Sequence, residues 1–204
     1  IGVRLVGSEM CIRDSSKAAS DSEPWLDLCA GPGGKAALLS HLAKGIFYAN
    51  EISKIRAELV QRVIKQGSVV SVGDGRDINI EVNAVLADVP CTGLGALRRR
   101  PEVRWRRNPS DLSGLTQLQF ELASHAIEIL PKGGIFGYAT CSPHMAETGA
   151  QCATLEKKFD VEKIDVTPYL PSNLKDGVRN GYMQLWPHRH GTDAMFLAIY
   201  RKNR

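Results

Sequence analysis

The sequence predicts an α/β fold on a largely parallel sheet with helices on both faces, and three observations carry that prediction. Strand and helix signals alternate from Trp25 onward. The stretches "AVLA" and "GIFGYA" are continuous apolar runs, as strands buried on both faces are. Successive strand ends carry a glycine-rich turn or an acid, and open parallel sheets bind their ligands there.

The elements follow in order. "WLDLCA", from Trp25, is a short strand ending in glycines. "GGKAALLSHLAK" reads as a helix, with Ala37, Leu38 and Leu42 at helical spacing and a stop at Gly45. "IFYAN" is a second strand. "SKIRAELVQRVIKQG" is a well-patterned helix: Ile55, Leu59, Val63 and Ile64 share one face, Ser53 caps it and Gly67 ends it. "SVVSVG" and "AVLADV" are the third and fourth strands, and an arginine-rich loop follows. "LTQLQFELASHAIEILPKGG" is a helix with a Pro/Gly stop, "GIFGYAT" a fifth strand, "MAETGAQCATLEKKF" a helix, "VEKIDV" a sixth strand and "DAMFLAIYRK" the last. The stretch from Thr167 to Asp193 is irregular and too long for a simple connection, which predicts a functional loop or a hairpin.

A hydrophobic share of 43% is enough for a core, and 24% charged residues is ordinary for a soluble chain. No apolar run approaches the ~20 residues of a membrane helix, and no stretch has the charged start and apolar centre of a signal peptide. The cysteines Cys11, Cys29, Cys91, Cys141 and Cys152 are odd in number with no close pairs, which fits reduced thiols in the cytoplasm better than disulfides or a zinc ribbon. His188 and His190 lack further ligands at metal spacing, so loop hydrogen bonding is expected of them and no metal. Leu5 to Ser15, "LVGSEMCIRDS", has no helical or strand period and matches one reading frame of a transposon-based sequencing adapter. Residues 1–15 are therefore expected to be an artefact, 16–24 a lead-in, and 25–204 the folded domain.

Four strand ends outline a pocket: the turn Gly31-Pro32-Gly33-Gly34, then Glu51, Asp74 and Asp88. Glycines let backbone approach a ligand, and an acid 18 residues past Gly33 is placed for ribose hydroxyls. The turn lacks the third glycine of a dinucleotide site, which disfavours a nicotinamide-dependent reductase. S-adenosylmethionine, which has a ribose and an adenine but no phosphate, suits acids better.

Two thiols follow adjacent strands, Cys91 in "DVPCTG" and Cys141 in "YATCSPH". Strand ends lie roughly 5 Å apart, so both can face one pocket, whereas Cys29 and Cys152 are expected to be small buried hydrophobes. Thiolate addition at carbon 6 of a cytosine gives carbon 5 the nucleophilicity to take a methyl group, and a thiolate can leave again. Arg98, Arg99, Arg100, Arg104, Arg106 and Arg107 would lower a thiol pKa and hold phosphates, and Trp105 could stack on a base. The residues alone leave open which thiol attacks.

The motifs "DLCAGPGGK", "ANE", "GDGRD", "DVPCTGLGALRRRPEVRWRR", "YATCSPHMAET" and "QLWPHRHGTDAMF" resemble those of RNA cytosine-5 methyltransferases of the Sun/RsmB type, above all the bacterial 16S ribosomal RNA branch. The resemblance spans nearly all of Trp25 to Lys202. It implies a class I, Rossmann-like S-adenosylmethionine-dependent methyltransferase whose seven-stranded sheet ends in an antiparallel strand. It implies that Cys29, Ala30, Gly31, Pro32, Gly33, Gly34 and Lys35 line the cofactor, that Glu51 holds the ribose and Asp74 the adenine side, and that Asp88 sits near the methionine end or the target base. It makes Cys141 the nucleophile and Cys91 the residue that assists release. The family usually has Ala-Ala-Pro-Gly-Gly-Lys-Thr where this chain has Ala30-Gly31-Pro32 and Ala36, and aspartate where it has Glu51. Family members also carry an N-terminal RNA-binding domain, which the adapter reading implies is missing here. The expected partner is ribosomal RNA and the expected state a monomer; a transfer RNA enzyme and a non-catalytic RNA-binding assembly factor are the alternatives.

Overall fold

The structure is a computed structural model that describes residues 24–204; the adapter reading of residues 1–15 and most of the lead-in lie outside the described residues. Five parallel strands form the left and centre of the sheet: β1 (Trp25–Asp27), β2 (Phe47–Glu51), β3 (Val69–Val72), β4 (Ala84–Asp88) and β5 (Ile135–Thr140). Strand β9 (Phe196–Lys202) runs antiparallel to β5, with Ile135 opposite Arg201 and Thr140 opposite Phe196. Beyond it β6 (Val161–Ile164) pairs with one end of β9, and the hairpin β7 (Val178–Arg179) and β8 (Tyr182–Gln184) with the other. The order is β3-β2-β1-β4-β5-β9-β8-β7, with β6 off this path. The mostly parallel sheet with an antiparallel last strand is thus present. The irregular stretch contains a hairpin, which adds two short strands to the expected seven.

Side-chain alternation assigns each strand residue to one of two cores. Trp25, Ala84, Leu86, Ile135 and Ala139 face one cluster, and Leu26, Val85, Ala87, Phe136 and Tyr138 face the other. Helices α1 (Gly34–Leu42) and α2 (Lys54–Val63) cover the first face. Helices α4 (Asp111–Ile129) and α5 (Gly149–Lys158) cover the second; the short α3 (Val103–Arg106) lies in the arginine loop and α6 (Pro187–His190) in the irregular stretch.

Two helix faces differ from expectation. In α1 the buried residues are Ala36, Leu39 and Ser40, while Leu42 is exposed. In α2 they are Ala57 and Val60; Ile55 is 75% exposed, and Leu59 and Val63 are also exposed. The cause is packing distance. A Cβ on Gly33 would lie 2.7 Å from Val63 Cγ2 and 3.2 Å from Val60 Cα, so α2 packs closely on the first turn through the face that carries Val60 and Val63. Ser53 does cap α2, accepting from the Arg56 N–H, but the helix stops at Val63, before Gly67. The helix expected from Met145 is broken: a 3-10 turn over Met145–Glu147 precedes α5, because Glu147 turns inward.

Candidate active site

The strand ends β1, β2, β3, β4 and β5 surround one cavity of about 750 Å³. Its walls include Cys29, Gly31, Glu51, Asp74, Asp88, Cys91 and Cys141, together with Arg100, Arg106 and Arg107. Sequence reasoning therefore brought together residues from all five strand ends. Ala30, Pro32, Gly33, Gly34 and Lys35 are not among the walls, but Lys35 reaches the site through a 2.7 Å ion pair with Asp88. Burial pulls the Lys35 ammonium down, and Asp88 more than offsets it.

Glu51 is buried and fixed at both oxygens. Oε2 accepts the Gly31 N–H at 3.0 Å, and Oε1 accepts the Ser53 N–H at 2.9 Å and the Arg56 guanidinium at 2.5 Å. Gly31 is required there, since a Cβ would fall 2.2 Å from Oε2. Asp74 is engaged by Arg76 through its backbone N–H at 2.9 Å and its guanidinium at 2.6 Å; those hydrogen bonds hold its carboxyl down at about 2. Arg76, which also pairs with Glu121 at 2.6 Å, is a wall residue that the sequence did not single out.

Two further residues escaped sequence reading. Asn50 donates to the Leu28 and Gly73 carbonyls at 3.2 and 3.1 Å and accepts from Ser71, so it ties the ends of β1, β2 and β3 together. Asp27 lies fully buried among Lys35, Asp88 and Glu51. Burial pushes its carboxyl up to about 7, with the Asp88 charge adding to the effect and Lys35 opposing it. Its Oδ2 has no hydrogen-bond partner. A polar residue inside an apolar strand was the only signal for Asp27; Asn50 gave none apart from its place beside Glu51.

The Sγ atoms of Cys91 and Cys141 lie 3.4 Å apart. The two titrate as a pair: a thiol on one stabilises a thiolate on the other. The hydrogen bond from Cys141 draws Cys91 down against its burial, and the same contact, followed by burial, pushes Cys141 up. Lys35 lies on the Cys141 side and opposes that rise, while the Glu147 charge opposes ionisation of Cys91. Cys152 is fully buried, and burial pushes its thiol up to about 12, as suits an inert core residue. Cys29 is partly exposed and forms part of the wall, so it is not the simple buried hydrophobe expected; burial raises its thiol.

The arginine loop has a fixed base and a projecting tip. Gly95 is held between two carbonyls, where a Cβ would lie 2.2 Å from the Ala194 oxygen and 2.7 Å from the Cys141 oxygen. The Gly95 N–H donates to Cys141 at 3.0 Å, and Ala194 donates to the Gly95 carbonyl at 2.9 Å. Arg99 pairs with Asp193, its Nε at 2.7 Å, and Arg107 donates to the Thr92 and Cys91 carbonyls at 3.3 and 3.1 Å. These two arginines thus anchor the loop while remaining exposed, as are Arg98, Arg100, Arg104, Arg106 and Trp105, the last 85% exposed.

Among the described residues no group of His, Cys, Asp or Glu forms a metal site. His190 instead accepts the Trp186 N–H at 2.9 Å and lies 3.2 Å from Asp176, the hydrogen bonding expected of that loop. No helix among the described residues is long and apolar enough to cross a membrane.

Comparison with known proteins gives a consistent result. The family model described as 16S rRNA methyltransferase RsmB/F matches residues 17–201. A putative methyltransferase of Mycobacterium tuberculosis, Rv1407, is 45% identical over 96% of this chain and 45% of its own length. The probable ribosomal RNA small subunit methyltransferase B of Bacillus subtilis is 28% identical over 96% of this chain and 46% of its own. The chain thus spans about half the length of these curated relatives. Among solved structures, PH0851 superposes with a TM-score of 0.83 at 30% identity, over 97% of this chain and 46% of its own. NSun6 from Pyrococcus horikoshii, solved with SFG, shares the fold with a TM-score of 0.81 at 24% identity, over 97% and 52%.

Proposed function

Because the chain belongs to the RsmB/F family of 16S rRNA methyltransferases, we propose that it methylates carbon 5 of a cytosine in ribosomal RNA through a covalent cysteine adduct. The observation that carries this reading is the pair of sulfurs 3.4 Å apart on the wall of a cavity rich in carboxylates. The cofactor is S-adenosylmethionine. The residues fit it: Glu51, Asp74 and Asp88 would repel a pyrophosphate but accept hydroxyl and amino donors, and the unpartnered Asp27 Oδ2 adds a further acceptor beneath them. When bound, the cofactor supplies a methyl group carried on a cationic sulfonium.

The chain's own residues supply the rest. Glu51 would hold the ribose hydroxyls, Asp74 the adenine side, and Asp88 with Lys35 the end nearest the thiols. Cys141 adds to carbon 6 of the base, and its proton passes across the sulfur–sulfur contact to Cys91, which must be in its thiolate form to accept it. In the resting pair the charge is favoured on Cys91 and the proton on Cys141, so this transfer runs against the resting preference and bond formation to carbon 6 must draw it. Carbon 5, now nucleophilic, takes the methyl group. A base then removes the carbon-5 proton as the carbon–sulfur bond breaks and its electrons return to Cys141. Cys91 assists this release and hands back the borrowed proton. Arg98, Arg100, Arg104 and Arg106 bind phosphates, with Trp105 stacking on an exposed base. The protein acts in the cytoplasm as a monomer.

The test uses the full-length protein with ribosomal RNA. Cys141→Ala should abolish transfer of labelled methyl groups, and Cys91→Ala should accumulate a covalent protein–RNA adduct. A Cys91→Ala protein that turns over normally without adduct refutes this division of labour. Bisulfite mapping of RNA from a deletion strain would assign the target to ribosomal or transfer RNA.

A further inference from the structure

Behind the thiol pair lies a carboxylate that neither the sequence reading nor the proposed chemistry uses. Glu147 is fully buried in the 3-10 turn ahead of α5. Its Oε1 accepts the Thr92 N–H at 2.8 Å and the Gln119 amide at 2.9 Å. Its Oε2 accepts the Thr92 hydroxyl and the Ser142 hydroxyl, each at 2.5 Å. Thr92 follows Cys91 and Ser142 follows Cys141, so one oxygen atom joins the two thiol-bearing turns. Gln119 extends the join by donating to the Pro90 carbonyl at 2.9 Å, and Tyr138 secures Glu147 by donating to its carbonyl at 2.8 Å. Thr92, Gln119, Tyr138 and Ser142, which supply these donors, are all buried.

A buried charge is a poor stabiliser in itself, and apolar residues of similar volume often serve the core as well or better. Its hydrogen bonds are strong and directional, however, and here one oxygen draws together two hydroxyls that also lie 3.3 Å from each other. Burial raises the Glu147 carboxyl, but the hydrogen bonds from Ser142, Thr92 and Gln119 outweigh it and hold the group below the usual carboxylate range. It is therefore ionised at neutral pH, and all its donors come from the two thiol turns or from the helix residue that braces one of them.

We propose that Glu147 is a positioning residue for the thiol pair: its buried carboxylate clamps the turn of Cys91 to the turn of Cys141 and so keeps the two sulfurs within reach of each other. The proposal rests on the thiol chemistry set out above for its catalytic meaning, but its geometry can be read without that chemistry.

The experiment is bridging of the two sulfurs in the full-length protein by dibromobimane, without RNA or cofactor. The peptide pair joined through Cys91 and Cys141 is quantified by mass spectrometry against the singly alkylated peptides. Glu147→Ala should lower the bridged-to-single ratio at least tenfold. Glu147→Gln, which retains one acceptor oxygen and can donate to the two hydroxyls, should recover much of the loss. Affinity for S-adenosylmethionine should stay within threefold in both, and kcat for methyl transfer should fall with the ratio while KM for RNA does not change. An unchanged ratio in Glu147→Ala overturns the proposal. If that variant does not fold, Thr92→Val and Ser142→Ala decide: each removes one donor and should lower the ratio at least threefold, and no change in either overturns the clamp. If the wild-type protein forms no 5-methylcytosine, the proposed chemistry falls, while the bridging ratio still decides the role of Glu147.

Discussion

Replacing Gly31 with alanine places a methyl group on Glu51, the carboxylate proposed to hold the cofactor's ribose. The new Cβ would lie 2.2 Å from Glu51 Oε2, 2.8 Å from Glu51 Cδ and 3.1 Å from Arg56 Cβ. Glu51 cannot move without loss, because Oε2 accepts from Gly31 itself and Oε1 from Ser53 and Arg56. The backbone at Gly31 is not in the left-handed region, so the perturbation is purely steric. Forcing the carboxylate aside forfeits the bond to Gly31 and, under the proposed role of Glu51, one to a ribose hydroxyl. A hydrogen bond to a charged acceptor is worth about 1.5–3 kcal/mol. Losing the ribose bond therefore weakens binding by roughly 10- to 140-fold at 1.4 kcal/mol per decade. Losing the internal bond costs about the same in stability. Isothermal titration calorimetry with S-adenosylmethionine, alongside a thermal melt, measures both. A folded Gly31→Ala protein whose Kd stays within threefold of wild type refutes the role of Glu51 and the tight fit of the turn around it.

Asp27, raised to about 7 in the fold from an ordinary 3.8, binds its proton more tightly in the native state. Its contribution therefore disfavours the native state increasingly as pH rises from about 4 to about 7. Urea unfolding at pH 5 and pH 7 should show that decline, and Asp27→Asn should flatten it. At the loop tip, Trp105→Ala should weaken RNA binding by ~1–3 kcal/mol in filter binding, the usual worth of one stacked base. Replacing Arg104 and Arg106 with alanine should reduce the slope of log K against log salt by about 0.7 to 0.9 for each phosphate no longer neutralised. Gly114, exposed inside α4 with open space around its missing Cβ, should tolerate alanine with a gain of about 0.5–1 kcal/mol. That gain would appear as a Tm rise of roughly 1–4 °C.

The chemistry of the site was legible where it sits at strand ends. Glu51, Asp74, Asp88, Cys91 and Cys141 each end or follow an apolar run, and the topology of a parallel sheet then places them at one rim. The illegible parts depend on partners distant in sequence. Glu147 reads as one more acid at a helix start until Thr92, 55 residues earlier, is seen to meet it. Asp27 reads as an interruption in a strand, and Arg99 and Arg107 as two members of a uniform basic run, though both hold the loop to the domain. The α2 face was misread because periodicity weighs Ile55 and Leu59 above Ala57, whereas the face that packs against the first turn at Gly33 carries Val60. Volume complementarity is a tertiary property and leaves no local trace.

The wedging of Gly95 between two carbonyls has an architectural consequence. With the stem of the arginine loop stitched down on either side of the sulfurs, residues between the stitches can be exchanged as a cassette. Under the proposed function, RNA contact and base alkylation would then be separable. A tip transplanted from a relative should leave the two sulfurs in register, because the stem is held at Gly95 independently of it.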